Sequence, residues 1–320
     1  MSNRANILRY VLITPSRNEE RFIEKTLESV VSQTVLPIKW VIVNDGSTDA
    51  TAEIVATYAA RYRWIELINR PVRKERHFAA KVHAFNAGLE RIKQLEYEVI
   101  GNLDADVSLD ADHFEFLISK FSQDSRLGVA GTVFTEPHGY NSAIDSFEGQ
   151  TYVSGQCQLF RRQCFDEIGG YVPSKIGGID WMAVKTARMI GWNTRSFREK
   201  SFLHHRILGT ADRSIIASNF AYGKKDYILG GHPLWQIFRC TYRMTKHPYV
   251  VGSIALFAGY LAAFLSRADR PVSRELMRFH RSEQMLKLKT IVSSLCRFKK
   301  INSFELLPAE PNPAQTSPAK

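Results

Sequence analysis

The sequence predicts an α/β protein with a mostly parallel central sheet, on three observations. β-rich runs alternate with helical patterns through the first 135 residues, the order that builds parallel sheets covered on both faces. Three of these runs end in Thr14-Pro15, Asp45 and Asp104, so polar groups gather beyond the carboxyl ends of the strands, where such sheets bind ligands. The third observation is Asp104-Ala-Asp106 itself. Residues i and i+2 of an extended chain point to one face, so two carboxylates leave the fourth strand together.

Taken in order, the first strand is Arg9-Tyr-Val-Leu-Ile-Thr14. Asn18 is placed to cap a helix carrying Phe22/Ile23, Leu27 and Val30/Val31 on one stripe, and Pro37 marks its exit. Lys39 to Asn44 is the second strand, and Asp45-Gly-Ser-Thr-Asp49 turns into a helix reaching Tyr62. Trp64 to Ile68 and Val99 to Leu103 follow as the third and fourth strands. Asp110-Ala-Asp112 repeats the carboxylate spacing but opens a helix, Asp112 to Phe121, where acids suit the N-terminal dipole. From Gly128 to about Tyr227 the pattern is mixed. It holds a strand from Val129 to Phe134, the stretch Tyr152 to Arg161, two double glycines (Gly169-Gly170 and Gly177-Gly178) and a helix from Asp180 to Ile190 that Asp180 is placed to cap.

The character changes near Gly231. Tyr249 to Leu265 holds 17 uncharged, mainly apolar residues, at the lower limit for a bilayer span. Arg274 to Lys300 is basic and amphipathic, with Leu288, Ile291/Val292 and Leu295 on one stripe; together these segments fit a helical region that lies in an anionic membrane interface or spans it once. The last dozen residues read as a disordered tail. A net charge of +11 favours anionic partners: nucleotides, nucleic acid or lipid headgroups. Cys157, Cys164, Cys240 and Cys296 form no zinc spacing and read as buried free thiols of a reducing compartment. The N-terminus carries no apolar signal region, which argues against secretion.

Opened into a turn, a carboxylate pair can hold Mg²⁺ or Mn²⁺ together with substrate phosphates. Three further segments precede Asp104-Ala-Asp106 in order: Val11-Leu-Ile-Thr-Pro-Ser-Arg-Asn-Glu-Glu20, Val41-Ile-Val-Asn-Asp-Gly-Ser-Thr-Asp49 and Ala80-Lys-Val-His-Ala-Phe-Asn-Ala-Gly88. In this register the chain resembles the family 2 glycosyltransferases over roughly residues 10 to 210. Asn44 stands where that family usually has Asp, and Ala80 where it has Gly.

The resemblance implies the GT-A fold, a Rossmann-like α/β/α sandwich, and transfer of a sugar from a nucleotide-diphosphate donor, most commonly UDP-linked. It implies a nucleotide-sugar half over 1–125 and an acceptor half over 126–230; the composition beyond them adds the helical, membrane-associated region 231–300 and the disordered tail 301–320. Pro15 and Glu19 would shape the nucleoside pocket, and Asp45 would accept from the nucleobase. Lys81 would approach the diphosphate or ribose, Asp104 the ribose or a metal-bound water, and Asp106 the metal. Gly177-Gly-Ile-Asp-Trp181 matches the segment that supplies the catalytic base, with Ile179 replacing an acid and Asp180 as the base. Ser154-Gly-Gln-Cys157 resembles the acceptor-side strand. His204 and His205, neighbours on an extended segment, face opposite ways, so only one of them, His204 or His205, would complete the metal shell, with His204 the candidate taken here, and Arg206 suits a phosphate oxygen. Plainer roles remain open: a first-turn helix acid for Glu19, turn chemistry for Asp45, a surface lysine for Lys81, a packed imidazole for His204. The basic run Arg70 to His77 reads as a solvated loop near the donor mouth.

The Q-x-x-R-W signature of processive members is absent. The reading is therefore a metal-dependent, inverting, non-processive glycosyltransferase working on a saccharide or lipid-linked acceptor at the cytoplasmic face of the cell membrane, in surface polysaccharide or glycolipid assembly. Two rivals stand beside it. A sugar-nucleotide nucleotidyltransferase would normally carry a glycine-rich loop after its first strand, and Thr14-Pro-Ser-Arg-Asn18 has no glycine. A non-catalytic basic protein binding anions or lipid would not depend on Asp104, Asp106 or Asp180. Nucleic acid is not an expected partner, since no RNA-binding aromatic signature accompanies the basic residues.

Overall fold

A computed structural model describes residues 8–72, 79–137, 139–146, 148–174, 176–206, 214–245 and 247–311. They form two compact units, one comprising the residues up to Arg206 with Pro308–Pro311, the other lying beyond Arg206 and ending at Leu307.

The first unit alternates β1 (Tyr10–Ser16), α1 (Ile23–Val31), β2 (Lys39–Asn44), α2 (Thr51–Arg61), β3 (Ile65–Asn69), α3 (Ala79–Ile92) and β4 (Val99–Leu103). There follow β5 (Val107–Ser108), α4 (His113–Gln123), β6 (Leu127–Thr135), α5 (Ser142–Asp145), β7 (Cys157–Arg161), α6 (Arg162–Glu167), α7 (Ile179–Met189) and β8 (Asn193–His204). The sheet runs in the order β3-β2-β1-β4-β7-β6-β8-β5. Pairing is parallel from β3 through β2 and β1 to β4, and again between β6 and β8. It turns antiparallel where β7 enters between β4 and β6, and where β5 closes on β8.

The parallel half shows why its strands read as near-continuous apolar runs: both faces are covered. On one face Tyr10, Leu12, Trp40 and Ile42 meet Ile23 and Leu27 of α1 and Phe114 and Phe121 of α4. On the other, α3 lies so close that a Cβ at Gly88 would sit 2.7 Å from Ile13 Cγ2. Trp40 is wholly buried, and its indole N–H donates to Thr14 Oγ1 at 2.8 Å, so the largest core side chain leaves no unpaired donor.

The structure corrects several local expectations. Asn18 does not cap α1, which begins at Ile23; its φ is 55° and its Oδ1 accepts from Thr48 N at 2.9 Å. The segment is drawn instead to the β2–α2 loop, where the backbone N–H groups of Asn18, Glu19 and Glu20 donate to Ser47, Thr51 and Asp49 side chains. Asp180 is not the cap of α7. Gly178 is, with φ 78°, and Asp180 lies in the first turn with its side chain free to face elsewhere. Three cysteines are buried, but Cys296 is exposed at the end of its helix. Of the basic run, residues 73–77 lie outside the described residues, while Arg70 is paired rather than solvated.

The second unit is helical: α8 (Ile215–Ile228), α9 (Pro233–Arg243), α10 (Tyr249–Leu265), α11 (Arg274–Cys296) and a short 3₁₀ turn at Ser303–Glu305. Ser214 caps α8, and Ser273 caps α11, each accepting from a backbone N–H three residues on. Among the described residues no helix is long and apolar enough to cross a membrane.

Candidate active site

The carboxyl ends of β1, β2 and β4 gather the acids that the sequence singled out. Pro15 pairs in register with Val43, and the chain then turns so that Glu19 follows β1 while Asp45 follows β2, its N–H donating to Ser16 O at 2.8 Å. The Asp45 carboxylate is buried and accepts from Arg70 Nη1 at 2.8 Å. Asn44 holds the turn beneath it, accepting from Ser47 N at 3.0 Å.

Asp104 and Asp106, just beyond β4, find different partners. Asp104 Oδ1 accepts from Lys81 Nζ of α3 at 2.5 Å, and its backbone N–H is fixed to Gln156 O at 2.8 Å. Burial works against the Lys81 charge, but Asp104, Asp180 and Asp106 outweigh it and raise its pKa, so the lysine stays cationic. Lys81 is therefore no solvated surface residue.

Asp106 is buried and lies beside the end of β8. Its Oδ2 is 3.4 Å from His204 Nε2 and 3.3 Å from Arg206 Nε. Burial alone would raise its pKa; His204, Arg206 and Lys81 reverse the shift and hold it below the ordinary range. The imidazole of His204 stands between two carboxylates, with Nδ1 3.4 Å from Glu136 Oε1, just past β6. Burial opposes protonation, yet Asp106, Asp104 and Glu136 together raise its pKa. His205 points away, to Ser108 Oγ at 2.7 Å and onto the Phe22 ring. Arg206 also grips Glu19. Burial and the charge of Asp106 nonetheless push the Glu19 carboxyl up to about 7.

Asp180 enters from α7. The Tyr152 hydroxyl donates to its Oδ2, and a Cβ at Gly155 would lie 2.7 Å from Asp180 Cβ. Gly155 is thus the residue that lets the carboxylate approach the backbone ahead of β7. The charge of Asp180 reaches Lys81, which ties it to the Asp104 side of the site. Lys81, Asp104, Asp106, Glu19, His204 and Asp180 form one electrostatic cluster, and Asp45 is paired with Arg70. Sequence reasoning missed Glu136 and Tyr152. No spacing marks either, because each matters only through a contact made by the fold.

Among the described residues no three His, Cys, Asp or Glu side chains are gathered into a metal cage. The donor set does fit a cation held mainly by substrate phosphates. A carboxylate and an imidazole face each other at Asp106 and His204, and Glu136 backs the far ring nitrogen, as carboxylates back metal-binding histidines elsewhere.

Acids, a lysine and a backed histidine thus gather at the carboxyl edge of an α/β sheet, the place where such sheets bind ligands. Residues 11–169 match the model of Glycosyl transferase family 2, and the chain carries that family's domain. Poly-β-1,6-N-acetyl-D-glucosamine synthase of Staphylococcus epidermidis is 34% identical over 115 residues, 35% of this chain and 25% of that protein. The enzyme of the same name from Staphylococcus aureus (strain COL) is 33% identical over 112 residues, with the same shares covered. The match thus spans about a quarter of the length of these relatives, 25%. In fold the chain is similar to S. aureus TarS 1-349 in complex with UDP-GlcNAc, with TM-score 0.56, 16% identity, and 93% of this chain and 89% of that one covered. It is similar also to the mannosyltransferase PcManGT from Pyrobaculum calidifontis in complex with GDP-Man and Mn²⁺, with TM-score 0.53, 18% identity, and 90% and 81% covered. The fold is GT-A.

Proposed function

We propose that this chain is an inverting, non-processive glycosyltransferase that moves one sugar from a nucleotide-diphosphate donor to a saccharide or lipid-linked acceptor. The observation that carries the reading is the meeting of Lys81, Asp104, Asp106 and His204 at the strand ends with Asp180 across from them on α7. Asp45 would accept a hydrogen bond from the base, and Pro15 and Glu19 would wall the nucleoside pocket. Lys81 and Arg206 are cations within reach of the acids where a diphosphate would sit. A Mg²⁺ or Mn²⁺ ion, held by Asp106 with His204, would neutralise the negative charge that develops on the leaving diphosphate.

Asp180 is the base in this reading. It takes the proton from an acceptor hydroxyl as that oxygen bonds to the sugar C1, and the bond from C1 to the diphosphate oxygen breaks on the opposite side. Tyr152 holds one carboxylate oxygen, which leaves the other for the acceptor. A UDP-linked donor is favoured, in keeping with the UDP-GlcNAc of TarS and the polysaccharide named in the synthases.

A thermal-shift panel of nucleoside diphosphates with and without Mn²⁺ tests the donor site. One diphosphate should stabilise the wild type only with the ion, and Asp106→Asn should abolish that effect. A flat panel for the wild type would remove the reading.

A further inference from the structure

The helix α10 carries large apolar side chains on its exposed face as well as its buried one. Gly252, Ser253, Ala255 and Gly259 lie buried on its inward face, beside Leu256, Tyr260 and Ala263. The glycines let α8 approach, since a Cβ at Gly259 would fall 2.0 Å from Phe220 O, and one at Gly223 would fall 1.9 Å from Leu256 O. The outward stripe of α10 is large and apolar. Val251, Ile254, Phe257, Leu261, Phe264 and Leu265 are all exposed, Leu265 to 70%. They recur at the three- and four-residue spacing of a single helix face. Ile216 and Phe220 of α8 extend the stripe across an open groove of about 780 Å³ whose polar rim includes Lys224. A contiguous patch of this kind marks an interaction surface.

We infer that this face lies in the interface of an anionic lipid bilayer, with α10 parallel to the membrane plane. Charge decides the occupant. Residues 207–307 hold sixteen Lys and Arg against six Asp and Glu, so a second copy would bring two strongly positive surfaces together, whereas acidic headgroups would meet them with the opposite sign. The length decides the posture. At 17 residues α10 is about 25 Å long, short of the hydrocarbon core, and its glycine-lined face is already occupied by α8.

Flotation of the full chain with vesicles tests this, using phosphatidylcholine alone and phosphatidylcholine with 30% phosphatidylglycerol. The wild type should float with the anionic vesicles and be released in part by high salt. The triple variant Ile254→Gln/Phe257→Gln/Leu265→Gln changes exposed positions only, so its thermal unfolding should match wild type while vesicle binding falls at least tenfold. Asp180→Asn should float as wild type does, which separates this surface from the catalytic reading. Wild type that ignores anionic vesicles, or a triple variant that still floats, would overturn the inference. So would a wild-type dimer in solution that the triple variant converts to monomer.

Discussion

Replacing Gly155 with alanine tests whether Asp180 is the base. The added Cβ would stand 2.7 Å from Asp180 Cβ, 3.1 Å from Cγ and 3.2 Å from Oδ2. Carbon atoms in contact prefer roughly 3.5 Å, so the segment and the first turn of α7 must part by about 0.8 Å. Gly155 is not among the residues with positive φ, so alanine brings no backbone strain and the effect is steric. The glycine side is poorly able to yield, because Gly155 O accepts from Asn102 at 2.5 Å and the next carbonyl accepts from Asp104 N at 2.8 Å. Asp180 moves instead. A general base displaced by nearly 1 Å loses turnover by on the order of 10²-fold. Overpacking costs about 1–3 kcal/mol of stability, which leaves the chain folded at 25 °C. The assay is release of nucleoside diphosphate from the sugar nucleotide that stabilises the wild type, beside a thermal-shift titration with that diphosphate. Turnover should fall 10- to 100-fold while nucleotide affinity stays within twofold, and adding Gly155→Ala to Asp180→Asn should lower it no further. Full turnover in a folded Gly155→Ala protein would refute the role given to Asp180.

Tyr152→Phe removes the donor to Asp180 Oδ2 and should lower kcat roughly tenfold with KM for the donor unchanged, since a freed carboxylate samples other rotamers; a donor KM that rises instead would place Tyr152 in the donor pocket. Gly259→Ala places a Cβ 2.0 Å from Phe220 O, a backbone atom that cannot turn aside, so its cost should fall at the upper end of about 1–3 kcal/mol in chemical denaturation. An unchanged midpoint would show that α8 and α10 do not pack this closely. Burial among Phe114 and Phe202 lowers the His113 pKa from 6.5 to about 4. A depressed histidine adds stability that is whole above pH 6.5 and is lost as pH falls through 4, about 3 kcal/mol in all. Stability against pH for His113→Gln should be flatter than wild type by that amount in this window, and parallel curves would contradict it.

The parts of the fold that were legible are those set by local burial. Lys39–Asn44 and Val99–Leu103 match their strands residue for residue, because both faces of β2 and β4 are covered and burial runs almost the whole length of each strand. The first strand continued two residues further, through Pro15 and Ser16, since Pro15 keeps its place beside Val43 without donating an N–H. Strand direction beyond β4 was not legible. Whether β7 pairs antiparallel with β4 depends on how the chain returns after β6, and no periodicity within Cys157–Arg161 records that. Helix caps were misread at Asn18 and Asp180 for a related reason. Both residue types favour caps, and both are held elsewhere by contacts with distant loops, Asn18 with Thr48 and Asp180 with Tyr152.

For the site, the order of motifs was legible because each sits at the end of its own strand or on the adjoining helix. The pairing of charges was not, since Arg206 meets Glu19 across 187 residues and Glu136 meets His204 across the gap between β6 and β8. That pairing bears on how the site would work. Lys81 is committed to Asp104, and Arg206 is shared by Asp106 and Glu19, so each of these acids already has one of the chain's own cations beside it. A diphosphate entering here would compete for Lys81 and Arg206. Each cation it draws away uncovers a carboxylate, and Asp106, once uncovered, faces His204 as a ready pair of donors. Nucleotide and divalent ion would then favour each other's binding by exchanging partners within the cluster, without adding uncompensated charge to a buried site. Asp104-Ala-Asp106 is divided by its partners: Asp104 is held by Lys81, which under the proposed function a phosphate would claim, and Asp106 by Arg206 and His204, which an ion would replace or use.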